Sequence, residues 1–187
     1  MNLPNKLTIV RIILAPLFLV LLVINFPHHY LAAMIVFIVA SLTDMLDGKI
    51  ARKYNLITTF GKLADPVADK MLTTAALLVL MQAGYCDLTI VFIVLTREFA
   101  VTSVRLAASA QGVVIPANIW GKIKTVSQMV STILIMLLMA LKEINVLPEG
   151  FPLEILSAVL LWITAVAAVI SGIIYIKDGV KRIDFNK

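Results

Sequence analysis

Four aspartates carry the chemistry this sequence offers. Residues 44–69 follow the pattern D-x2-D-G-x2-A-R, eight residues, then G-x3-D-x3-D, filled by Asp44, Asp47, Gly48, Ala51, Arg52, Gly61, Asp65 and Asp69. Spacings of three and four put each aspartate pair on one face of a helix. The pairs adjoin long apolar segments, where an unpaired ionised group is costly. Four like charges therefore need a partner, and carboxylate oxygens suit a hard divalent cation such as magnesium, calcium or manganese. The competing explanation is pairing with Lys49, Arg52, Lys53, Lys62 and Lys70. Such pairing does not require the intervening Gly, Ala-Arg and Gly positions.

The elements that must hold these groups are membrane helices. Of 187 residues, 61% are hydrophobic and 14% charged, with mean hydropathy +1.01. A soluble domain is nearer half apolar and a quarter charged. The single Cys86 excludes an internal disulfide and reads as an inert thiol. A net charge of +5 suits topology signals and lipid headgroups, and nucleic acid is not expected as a partner. The first apolar run carries Arg11 and lacks a small-residue cleavage site, so it is expected to stay in place as a helix.

Hydropathy and breakers predict an all-α protein with six transmembrane helices in one domain, 1–187. The expected spans are 7–26, 31–54, 64–83, 88–110, 122–141 and 153–176. The Thr- and Gly-containing stretch 55–63 reads as a loop, with Asp65-Pro66 opening the third helix, since proline is tolerated in a first turn. The loops after helices one, three and five contain only Lys142 among Lys and Arg, whereas Lys6, Lys49, Arg52, Lys53, Lys62, Lys122, Lys177, Lys181, Arg182 and Lys187 lie at the other ends. By the positive-inside rule those ends and both termini are cytoplasmic, in the cell membrane. At about 1.5 Å per residue, Asp44 lies roughly 20 Å along its helix from Leu31, in the inner third of the bilayer. His28 and His29 fall on the opposite side and read as a loop.

This signature closely resembles that of the CDP-alcohol phosphatidyltransferases, with every position filled. The stretches NLPNKLTIVRI, REFAVTSVR and GKIKTVSQ extend the resemblance along nearly the whole chain, toward the bacterial branch that makes phosphatidylglycerophosphate. The resemblance implies a reaction in which sn-glycerol 3-phosphate and CDP-diacylglycerol give phosphatidylglycerophosphate and CMP. It also implies Mg2+ or Mn2+, two ions about 4 Å apart being usual for such a displacement. Metal reverses the repulsion that a carboxylate cage would exert on a diphosphate. Within the family, the last aspartate is the proposed base, here Asp69, with Asp44, Asp47 and Asp65 as main metal ligands and Asp69 able to serve as one too. Gly48, Ala51 and Gly61 leave room for the nucleotide, Arg52 can contact phosphate, and Thr8 and Arg11 can contact diphosphate or acceptor.

The acceptor's own phosphate calls for cations. Arg97 and Arg105, eight apart, share a helix face, and Lys122, Lys124 and Lys62 lie at the same expected level, with Gln128 one turn further into helix five. An Arg97–Glu98 ion pair, headgroup contacts and plain topology signals are the competing readings. The family's habit suggests a homodimer, although no GxxxG marks an interface. Three alternatives stand beside the main reading. They are another acceptor such as inositol phosphate, a cation transporter, and a metal-binding scaffold without turnover. No acidic relay continues into the outer half, which disfavours a transporter.

Overall fold

The computed structural model describes residues 2–54, 58–113, 115 and 119–182, less the side chains of 49, 51–53, 59, 60, 62 and 63. Among the described residues the structure is helical throughout: α1 Leu3–Val23, α2 His29–Lys53, α3 Thr59–Gln82, α4 Leu88–Ala110, α5 Ile119–Glu143 and α6 Leu153–Val180. Four of them are long and apolar enough to cross a membrane: α1, α2 over His29–Gly48, α5 and α6. The other two carry ionisable residues in their interiors, Asp65, Asp69 and Lys70 in α3 and Arg97, Glu98 and Arg105 in α4. Large apolar side chains such as Leu17, Val20, Phe92, Ile163 and Ile173 are exposed. So much outward apolar surface is explained by lipid, and the chain is a membrane protein.

The helices begin where local chemistry allows rather than where hydropathy rises. α1 starts at Leu3, four residues before the expected span, because Pro4 fits a first turn that needs no N–H there. α3 starts at Thr59 and not at Ala64. Thr58 is extended and its hydroxyl accepts the Gly61 N–H at 3.0 Å, an N-cap that takes up one orphan donor. Pro66 consequently sits inside α3 instead of in its first turn. Of the expected loop 55–63, residues 55–57 lie outside the described residues and 59–63 are helix.

The chain divides into two compact units. One comprises Met1–Ala83 with Thr132–Leu153, the other Gly84–Ser131 with Glu154–Lys187, so α5 contributes a half to each. In the first unit α1 packs against both α2 and α3, which barely touch each other. α1 is therefore the central element. Asn5 meets Thr58 and Thr8 meets Asp65, so α3 runs in the same direction as α1, while Arg11 meets Asp47, so α2 runs opposite. The core joins Ala15, Phe18 and Leu22 of α1, Ala33, Phe37 and Ala40 of α2, Leu72, Ala76 and Val79 of α3, and Met136 of α5. Phe18 and Phe37 pack with ring centroids 5.4 Å apart, a favourable tilted arrangement, while the alanines let backbones approach. This core occupies one stretch of the three helices and leaves the polar residues gathered beyond it.

Candidate active site

At that polar end, the first unit brings together Thr8 and Arg11 of α1, Asp44 and Asp47 of α2, and Asp65 of α3. The Arg11 guanidinium is fully buried and spans both α2 carboxylates, pairing with Asp44 through Nη1 and with Asp47 through Nη2. Asp47 is buried and Asp44 half-buried, and the Gly48 backbone N–H also reaches the Asp47 carboxylate. Asp65 lies close enough to act electrostatically on both of them, although it pairs with Thr8 and not with Arg11. The Thr8 hydroxyl donates to Asp65 Oδ1 at 2.7 Å, with the Pro4 carbonyl at 3.1 Å. A hydrogen bond to an ionised acceptor contributes about 1.5–3 kcal/mol, enough to fix the carboxylate's direction.

Gly61 explains how α3 comes so near to α1. A Cβ there would lie 3.3 Å from Thr58 Oγ1, 3.4 Å from Asn5 Oδ1 and 3.5 Å from Asp65 Oδ2. The missing side chain is filled by the protein's own Asn5 amide, which accepts from the Thr58 hydroxyl at 2.8 Å. Asp69 follows Asp65 by one turn of α3, and its backbone carbonyl accepts from Thr73 at 3.1 Å. The side chains of Ala51, Arg52 and Lys62 lie outside the described residues.

Does this donor set fit a divalent cation? All the donors are carboxylate oxygens, the type that hard cations prefer. Asp44, Asp47 and Asp65 outnumber Arg11 in charge, leaving an excess that a cation would offset. Arg11 itself marks where positive charge is held, between Asp44 and Asp47. Among the described residues no three acidic or imidazole groups close on a single point. The residues fit a metal by type and charge, with Arg11 sharing the same ligands.

The second unit holds a separate cationic cluster. Glu98 Oε1 accepts from Arg97 Nη1 at 3.0 Å and from the Lys124 ammonium. Arg97 Nη2 donates to Ser171 Oγ at 2.6 Å, and Arg105 Nε donates to the Tyr175 phenol oxygen at 2.7 Å. Lys124 and Gln128 are buried one turn apart on α5, whereas Lys122, two residues from Lys124, is exposed. The structure thus separates Lys122 from the residues with which the sequence grouped it. It also turns Arg11 toward the aspartates of the first unit rather than leaving it free for an acceptor.

Glu98, Ser171 and Tyr175 complete this cluster without having been singled out as site residues. A signal existed for the last two: a serine and a tyrosine four apart in a largely apolar helix, hence on one face. Serine is too ordinary in membrane helices for that spacing to stand out unaided.

The family model for CDP-alcohol phosphatidyltransferase matches residues 1–170. A CDP-diacylglycerol–glycerol-3-phosphate 3-phosphatidyltransferase of Bacillus subtilis is 38% identical over 187 residues, covering 91% of each chain. One of the same name from Rickettsia bellii is 37% identical over 176 residues, covering 94% of each. A probable phosphatidylglycerophosphate synthase of Mycobacterium tuberculosis is 36% identical over 185 residues, covering 97% of this chain and 83% of the relative. The signature aspartates, the α1–α2–α3 arrangement that gathers three of them, and a match running through most of its length agree: the chain belongs to the CDP-alcohol phosphatidyltransferase family.

Proposed function

We propose that this enzyme transfers the phosphatidyl group of CDP-diacylglycerol to sn-glycerol 3-phosphate, giving phosphatidylglycerophosphate and CMP. The observation that carries the proposal is that α1 holds signature aspartates from two helices, Asp44 and Asp47 through Arg11 and Asp65 through Thr8, one turn earlier. The names of relatives that align along nearly their whole length support the choice of substrates. A donor with acyl chains and a diphosphate head suits a polar cluster set at the end of a membrane-embedded helical core.

Members of the family generally depend on a divalent metal. In this reading Asp44, Asp47 and Asp65 would hold Mg2+ or Mn2+, expected as two ions, and Asp69 could serve as a further ligand. Metal bound there would offset the diphosphate's charge and make its phosphorus more electrophilic. Thr8 keeps Asp65 turned to its task, Gly48 and Ala51 leave room for the nucleotide, and Arg52 contacts phosphate. Gly61 serves the close approach of Asn5. Asp69 accepts the proton of a glycerol hydroxyl as that oxygen attacks the β-phosphorus. A new P–O bond forms, the bond from that phosphorus to the bridging oxygen breaks, and CMP departs with the electron pair. Arg97, Arg105 and Lys124, with Gln128 beside them and Lys122 adding positive potential, receive the acceptor's phosphate. The positive-inside pattern supports six spans with both termini and the site toward the cytoplasm, and the family's habit supports a homodimer.

The assignment of Asp69 is tested by Asp69→Asn, which keeps the shape and removes the base. A positioned general base contributes on the order of 10^2–10^4-fold in rate. CMP release is expected to fall by at least about 100-fold while binding of CDP-diacylglycerol persists. Retention of more than a tenth of the wild-type rate would remove Asp69 from this role.

A further inference from the structure

We propose that Ser171 and Tyr175 of α6 are positioning residues that orient Arg97 and Arg105 to receive the phosphate group of the acceptor. The inference rests on the transfer reading above for the identity of that acceptor. Arg97 and Arg105 stand eight residues apart on α4, and Ser171 and Tyr175 four apart on α6, so each pair shares a helix face. Each arginine donates to one of those hydroxyls, Arg97 Nη2 to Ser171 at 2.6 Å and Arg105 Nε to Tyr175 at 2.7 Å. Each hydroxyl thus fixes the direction of one guanidinium, so that both arginines are oriented before a phosphate arrives.

Other features of α6 serve the same end. Gly172 has no side chain to obstruct Arg97, and a Cβ there would stand 3.0 Å from Arg97 Cγ. The Tyr175 hydroxyl donates to the Ile115 carbonyl at 3.4 Å, which turns its oxygen to accept from Arg105. The Arg105 guanidinium carbon lies 5.1 Å from the Tyr175 ring centroid, so ring and hydroxyl hold it together. Arg97 Nε is buried without a hydrogen-bond partner, a donor still open to an incoming anion. Ser171 and Tyr175 act through the arginines and need not touch substrate.

The test compares wild type, Ser171→Ala, Tyr175→Phe and Ser171→Thr as full-length protein in detergent. KM is measured for each substrate from CMP release, and sn-glycerol 3-phosphate binding is measured directly by calorimetry. Losing an aligning hydrogen bond worth about 1 kcal/mol corresponds to roughly a fivefold effect. Ser171→Ala and Tyr175→Phe are expected to raise KM for glycerol 3-phosphate and weaken its binding by about that factor. KM for CDP-diacylglycerol is expected to move less than twofold, and Ser171→Thr, which keeps the hydroxyl, to lie near wild type. Parallel changes in both KM values, no change in either, or a wild type that binds no glycerol 3-phosphate would overturn the proposal. If the variants weaken that binding although the wild type releases no CMP with glycerol 3-phosphate, the transfer reading falls and the positioning role stands.

Discussion

Arg11 is the residue on which the acidic cluster depends. It is fully buried, reaches both Asp44 and Asp47, and supplies the positive charge that allows two carboxylates to sit at the end of an apolar helix. Removing one member of a buried ion pair costs about 3–5 kcal/mol, because the remaining charge is left uncompensated. Asp44 is half open to solvent, so Arg11→Ala is expected to lie near the lower end of that range. Its thermal unfolding in detergent should fall by several degrees, and added magnesium should restore part of the loss. An unchanged melting temperature would mean that the aspartates do not rely on Arg11. Cys86 has the opposite character. Burial, with Asp87 adding to it, pushes its thiol from 9.0 up to about 12. Below that pH it stays protonated and unreactive. A maleimide at pH 8 should leave the native protein unlabelled and label it after denaturation, whereas rapid native labelling would contradict the assigned environment. The aspartates and the two arginines of α4 were legible from sequence because a charge in a membrane helix stands out. Lys124's pairing with Glu98 and the hydroxyls of α6 were not, since they acquire meaning only when α4, α5 and α6 meet.

At the scale of elements, the start of α3 decides where Asp65 points. Thr58 caps the helix through Gly61 and donates to Asn5, which ties the first turn of α3 to α1. Thr58→Ala removes both interactions, and loss of an N-cap alone costs about 1 kcal/mol. The variant is expected to unfold at lower temperature and to lose more activity than stability, since Asp65 is held by Thr8 on the same α1–α3 contact. A melting curve and CMP release measured together check this, and full activity alongside a lowered melting temperature would contradict it. Six helices and most of their ends were readable from hydropathy and from breakers such as Gly84, Gly112 and Pro148. The start of α3 was not. A stretch containing Thr and Gly reads as a loop unless Asn5, 53 residues away, is known to meet its cap. Pro66 strengthened that error, because its local preference for a first turn gave way to a cap set eight residues earlier.

On the scale of the whole molecule, the chain divides into two units, each with its own cluster of charged side chains. The unit built on α1, α2 and α3 gathers carboxylates around one arginine, and the unit built on α4, α6 and the first half of α5 gathers cations around one glutamate. Such a division suits a reaction whose donor is handled through its diphosphate and whose acceptor is recognised by its own phosphate. The sequence made the membrane class and the acidic signature plain, while the division of α5 between two units had no mark in its hydropathy. The most direct test of the account is CMP release by the purified protein with CDP-diacylglycerol and magnesium, offering glycerol 3-phosphate, inositol phosphate or serine in turn. The account predicts release with glycerol 3-phosphate alone, abolished by a chelator of divalent metal. Release with a different acceptor, or equal release with none added, would contradict it.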